Sequence, residues 1–159
     1  MVMKKIIIAL TLLLSISYNS NAQDYSTGIG LRGGFASGIT IKHFIGEKAA
    51  LEGIVGTVYR GAFITGLYEI HSYSAFDVER LNWYYGAGGH IGFWNGYVGH
   101  PWFNTNRSYT VIGVDGILGM EYNIEEIPIN ISLDIKPAFN LVGYTGLWID
   151  GAFSVRYIF

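Results

Sequence analysis

The stretch INISLDIKPAFN, residues 129–140, separates into two faces when it is read two residues at a time. Ile129, Ile131, Leu133, Ile135 and Phe139 share one parity with Pro137, while Asn130, Ser132, Asp134, Lys136 and Asn140 share the other. Successive side chains of a strand point to opposite sides, so this is a β-strand with one apolar and one polar face. The pattern alone does not say which face is inside. A soluble sandwich would bury the isoleucines, whereas a barrel in lipid would turn them outward.

Composition narrows the choice. Charged residues are 14% of the 159, against about 25% in an ordinary soluble domain, and the 22 glycines are about twice the usual share. Near the start, Lys4 and Lys5 precede the apolar run IIIALTLLL (6–14) and a polar stretch ending in Ser20-Asn21-Ala22. That run is too short to span a bilayer and has the layout of a secretory signal, so residues 1–22 are expected to be a cleaved signal peptide and 23–159 the working domain. There is no cysteine, and therefore no disulfide framework for an exported fold. Without Lys4 and Lys5 the chain keeps 8 bases against 12 acids, which gives no basic footprint for nucleic acid. Beyond the leader no apolar run is long enough for a transmembrane helix, and a closed barrel is the other structure that satisfies its own backbone in lipid.

Eight alternating segments fall near 25–35, 38–45, 50–60, 62–74, 82–94, 108–122, 129–139 and 147–159, separated by breakers such as ASG (36–38), GEKA (46–49), DVERL (77–81) and NIEEIP (123–128). The expected fold is an all-β, eight-stranded antiparallel up-and-down transmembrane β-barrel. Charge then orients the faces. Placing Arg32, Lys42, Glu52, Glu69, His71, His90, Asp115, Glu121, Asp134, Lys136, Asp150 and Arg156 inside leaves every other charge of the working domain at a strand end or in a connection. No charge has to face lipid, where Arg or Lys at mid-depth costs about 2–4 kcal/mol. Arg32, Lys136 and Arg156 are expected to pair with Asp115, Glu121, Asp134 and Asp150, and Arg156 in particular with Asp134, Asp150 or Glu121.

Aromatics collect at the strand ends, as two interfacial girdles would. With an N-terminus in the periplasm, Tyr25, Phe44, Trp83, Tyr85, Tyr122, Tyr157 and Phe159 would mark one rim. Phe35, Tyr59, Phe63, Phe93, Trp94, Tyr109, Phe139 and Trp148 would mark the other.

NWYYGAGGHIGFW (82–94), DGILGMEYNIEEIPINISLDIKPAFNLVGY (115–144) and the closing FSVRYIF resemble a family of small outer-membrane β-barrel proteins common in Bacteroidota, akin to the eight-stranded OmpA and OmpX type. The resemblance covers essentially the whole chain after the leader. It implies an outer-membrane location in a Gram-negative bacterium and carries over no catalytic residue. It also implies that Phe153, Val155, Tyr157 and Phe159 form the signal read by the barrel-assembly machinery, a partner in biogenesis beside the membrane lipid itself.

Other chemistries find weaker support. GAGGHIG (86–92) lies inside a strand pattern and lacks the strand-to-helix setting of a phosphate loop; its glycines better make room for bulky inward neighbours such as Tyr84 and Trp94. The histidines at 43, 71, 90 and 100 have no zinc-site spacing, so no metal or cofactor is expected. In EIHSYSAF (69–76) His71 is near Ser72 and Ser74, but both serines point away from the face that His71 shares with Tyr73, which argues against a lipid A-modifying enzyme. NGYVGHPWFNTNRS (95–108) is the longest connection, and its Trp102 and Phe103 are candidates either to contact a surface ligand or to plug the mouth. The expected role is structural or surface-interacting around a polar, side-chain-filled interior. The alternatives are a narrow porin or solute channel, the enzyme, and a soluble exported barrel that carries a small ligand.

Overall fold

Period-two alternation becomes eight strands in the computed structural model, which describes residues 25–96 and 107–159. They are β1 (Thr27–Gly34), β2 (Ser37–Phe44), β3 (Ala49–Val58), β4 (Gly61–Ser72), β5 (Leu81–Asn95), β6 (Ser108–Asn123), β7 (Ile129–Val142) and β8 (Gly146–Ile158). Each pairs antiparallel with the next, and β8 returns to β1 to close the ring. The seam runs from Gly28 opposite Ile158 to Gly34 opposite Ala152. Closure leaves no edge of unpaired backbone groups, the requirement of a hydrocarbon surround. Beside the seam Thr27 N donates to Phe159 O at 3.0 Å and Phe159 N to Thr27 O at 2.9 Å. We call this the terminal end of the barrel and the opposite one the far end.

The eight expected segments are therefore present, most boundaries moving by one or two residues and the end of β7 by three. β7 continues past Phe139 to Val142 because its register against β6 shifts between Ile112 opposite Val142 and Gly113 opposite Asn140. The bulge turns Leu141 and Val142 outward together, and a pattern that has lost its parity no longer reads as a strand. Lower in the same ladder the pairing passes from Asp115 opposite Ala138 to Leu118 opposite Ile135. The gap flanks Pro137, which has no backbone N–H to donate.

The outer wall is apolar. Ile29, Leu31, Val55, Ile112, Val114, Leu133, Ile135 and Val155 are all exposed on it, and among the described residues every charge lies either in the interior or in a connection. The girdles need correction. Trp83, Tyr85, Tyr122, Tyr157 and Phe159 face out at the terminal end, and Phe35, Phe93 and Phe139 at the far end. Tyr25, Phe44, Phe63 and Trp94 are instead buried, while Tyr59, Tyr109 and Trp148 pack against the interior cluster. Strand parity explains this: Phe63 shares a face with Glu69, Trp94 with His90, and Trp148 with Asp150.

Candidate functional site

A ring of eight strands is so narrow that inward side chains from opposite walls meet. The twelve polar residues assigned to the interior by parity, Arg32, Lys42, Glu52, Glu69, His71, His90, Asp115, Glu121, Asp134, Lys136, Asp150 and Arg156, are all buried. They form three groups.

The group nearest the terminal end centres on Lys42, whose ammonium lies 2.8 Å from Glu69, 3.3 Å from Glu121 and 3.8 Å from Glu52. His71 sits between two of these carboxylates, with Nε2 3.1 Å from Glu69 and Nδ1 3.4 Å from Glu121. Tyr25 donates its hydroxyl to Glu121 at 3.2 Å, and Thr40 and Arg156 both donate to Glu52. In the second group Arg32 holds Asp134 with two hydrogen bonds of 2.7 and 2.6 Å and reaches Asp150 at 3.4 Å. The third joins Lys136 to Asp115 at 2.9 Å and His90 Nδ1 to the same carboxylate at 2.8 Å, with His90 Nε2 2.9 Å from Asn140. Tyr84 links the first two groups: its hydroxyl donates to Asp134 at 3.1 Å, and the Lys42 ammonium lies 3.8 Å over its ring. Buried charges are tolerated when they are paired and hydrogen-bonded in this way.

Arg156 corrects one expected pairing. Its partners are Glu52 across the lumen on β3, with Asn130 at 3.1 Å and Ser132 at 2.7 Å on the adjoining β7. Asp134 and Asp150 are occupied by Arg32, and Glu121 by Lys42, His71 and Tyr25. Parity assigns a side chain to the inside but not to a level along the barrel axis.

Sequence reasoning also missed an apolar stopper. Ile54, Val58, Phe63, Leu67, Trp94, Val111 and Ile117 form a buried cluster with Ala36 and Tyr84, mostly in the far-end halves of their strands. Trp94 is fixed at its centre by an indole N–H donated to Val58 O at 2.8 Å. Gly61 and Gly92 make room for it: a Cβ built at either would lie 2.1 Å and 2.0 Å, respectively, from the indole ring. The signal was available in the alternation of β5, where small and bulky residues take turns on the inward face. Interior charge meets this cluster directly: Ala36 N donates to Asp150 Oδ1 at 3.1 Å, and the Lys136 ammonium lies 5.0 Å from the Trp148 ring centroid.

His71 is enclosed by Glu69, Glu121, Phe44 and the stacked ring of Tyr84, 5.0 Å away. Ser72 is on the other face of β4 and lines a recess on the outer wall. Among the described residues no cluster of His, Cys, Asp or Glu has the arrangement of a metal site. GAGGHIG lies within β5. Phe153, Val155, Tyr157 and Phe159 form an exposed outward stripe beside the seam. Trp102, Phe103 and residues 1–22 lie outside the described residues.

No protein-family model matches the chain, and comparison with curated proteins finds no sequence relative. Among solved structures, the N-terminal β-barrel domain of Pseudomonas aeruginosa OprF is similar in fold, with a TM-score of 0.61. The match covers 82% of this chain and 93% of that one at 14% identity.

Proposed function

We propose that the chain is an integral outer-membrane β-barrel protein of a Gram-negative bacterium, with a structural or surface-interaction role. Residues 1–22 would be its cleaved export signal. One observation carries the reading: a closed ring of strands, with no outward Asp, Glu, Lys or Arg among the described residues, surrounds buried ion pairs and a buried apolar cluster. An apolar exterior needs lipid, and a filled interior leaves the connections as the surfaces able to meet partners. The 96–107 connection at the far end, with Trp102 and Phe103, is the first candidate for such contact. Membership in the small Bacteroidota-type barrel family rests on the 82–94 and 115–144 stretches. Under it, the outward stripe of β8 is the surface the barrel-assembly machinery reads.

The buried charges of the interior are what favour a second reading, a narrow channel. Catalysis by His71 has less support, because Ser72 and His71 are on opposite faces of β4. Heat-modifiable migration on gels tests the barrel, and planar-bilayer recording tests the channel. The filled lumen should give no conductance steps, and Phe63→Ala with Trp94→Ala should introduce them. Regular steps from the unaltered protein would replace the structural reading with the channel.

A further inference from the structure

The connection between β4 and β5 does not lie flat on the mouth. Tyr73 ties it down by donating its hydroxyl to Glu47 O at 2.6 Å, Ser74 N donates to Asn82 Oδ1 at 3.2 Å, and Ala75 is buried. Between these anchors and β5, Ser74, Phe76, Asp77 and Arg80 all take left-handed backbone conformations, with φ from 55° to 64°. Such conformations are disfavoured for residues with a side chain and persist where surrounding structure holds them. Here they hold Phe76 away from the barrel with 84% of its surface exposed.

Beneath this overhang the outer wall carries a recess of about 600 Å³. Its floor is a row of directly opposed outward side chains, Trp83 on β5, Met120 on β6 and Leu133 on β7, with Leu118 opposite Ile135 in the next row. Tyr73 to Phe76 form its roof. The recess is continuous with the apolar wall, so hydrocarbon is its natural occupant. The charges beside the roof indicate the headgroup. Asp77 and Glu79 are exposed, whereas Arg80, the one base of the connection, leans toward Glu125 at 3.6 Å. Two available carboxylates favour an ammonium and disfavour a polyanion.

We propose that this recess binds one acyl chain of an amine-headed phospholipid from the leaflet at the terminal end. Phe76 flanks the chain, and Asp77 and Glu79 face the headgroup amine. The proposal rests on the outer-membrane reading, and the two fail differently. A protein that shows no heat-modifiable migration and does not enter bilayers refutes the membrane reading. A folded, inserted barrel without the lipid preference refutes only this site.

The test is native mass spectrometry of the full-length protein in mild detergent, given phosphatidylethanolamine, phosphatidylglycerol or lipid A in turn. One phosphatidylethanolamine per barrel should be retained, with about tenfold preference over the other two. Leu133→Trp, which fills the recess, should abolish retention, and Asp77→Asn with Glu79→Gln should erase the preference while leaving a bound chain. Equal retention of all three lipids, preference for lipid A, a second copy of the chain in place of lipid, or unchanged retention in folded Leu133→Trp would each overturn the site. The unaltered protein supplies a further readout. In bilayers the fluorescence lost on Trp83→Phe should be quenched more strongly by brominated phosphatidylethanolamine than by brominated phosphatidylglycerol at equal mole fraction, and equal quenching counts against the proposal.

Discussion

Replacing Arg156 by Met keeps most of the side chain's volume and removes the guanidinium from a site with no exposure to solvent. The change strands Glu52, leaving it with Lys42 at 3.8 Å and the Thr40 hydroxyl, and deprives Asn130 and Ser132 of a donor. Breaking a buried pair by removing one partner costs about 3–5 kcal/mol. Lys42 is already shared among three carboxylates, so little compensation is available and a loss of about 4 kcal/mol is expected. At a slope of about 2 kcal/mol per molar urea, the unfolding midpoint should fall by about 2 M. The assay is urea titration in phospholipid vesicles, followed by tryptophan fluorescence and by heat-modifiable migration. The partner identifies itself by rescue. Adding Glu52→Gln should restore about half of the loss, because it removes the stranded charge, whereas Asp150→Asn should restore none, because Asp150 belongs to Arg32. Equal rescue by the two, or a loss below about 1 kcal/mol for Arg156→Met alone, would refute the cross-lumen pairing.

Asp134→Asn should cost about 3 kcal/mol by the same titration, because Arg32 keeps only the longer contact to Asp150. Gly92→Val should destabilise the barrel by about 1–3 kcal/mol through its clash with the Trp94 ring, and combining it with Trp94→Leu should recover much of that. Ile135→Arg, which puts a charge on the outer wall, should cost about 2–4 kcal/mol in vesicles, measured by refolding yield and urea midpoint. Its cost should shrink in detergent micelles.

The fold was legible because a strand writes its two faces into alternate residues and, among the described residues, this wall is mostly apolar and carries no acid, Lys or Arg. Residues 129–140 show both faces at a glance, and the twelve interior polar residues follow by parity once lipid is placed outside. What parity cannot carry is depth and azimuth. Arg156 and Glu52 lie far apart in sequence on strands that are not neighbours, and only the stagger of the closed ring brings them to one level. The misassigned aromatics have a different cause. For Phe63 and Trp94, position at a strand end suggested an interfacial girdle, while parity with Glu69 and His90 already placed them inside; the geometric rule outweighs the statistical preference. The same tension hides the stopper, because Phe63 reads as girdle by its place at a strand end, while Trp94 reads as girdle by its place and as an inward neighbour of the β5 glycines by its parity. The end of β7 was lost to a bulge, which removes the regularity that makes a strand readable.

Pro137 interrupts a wall whose other seams are continuously stitched. In an open sheet such an interruption would create a free margin from which strands could peel. A ring has no margin, so the missing bond remains a local slit between β6 and β7. Inside that slit the Lys136 ammonium and the Asp115 carboxylate join the same two strands at 2.9 Å. A side-chain rivet thus stands where the backbone thread is cut, and parting these strands would expose a charged pair to hydrocarbon, a barrier well above the hydrogen bond that proline gave up.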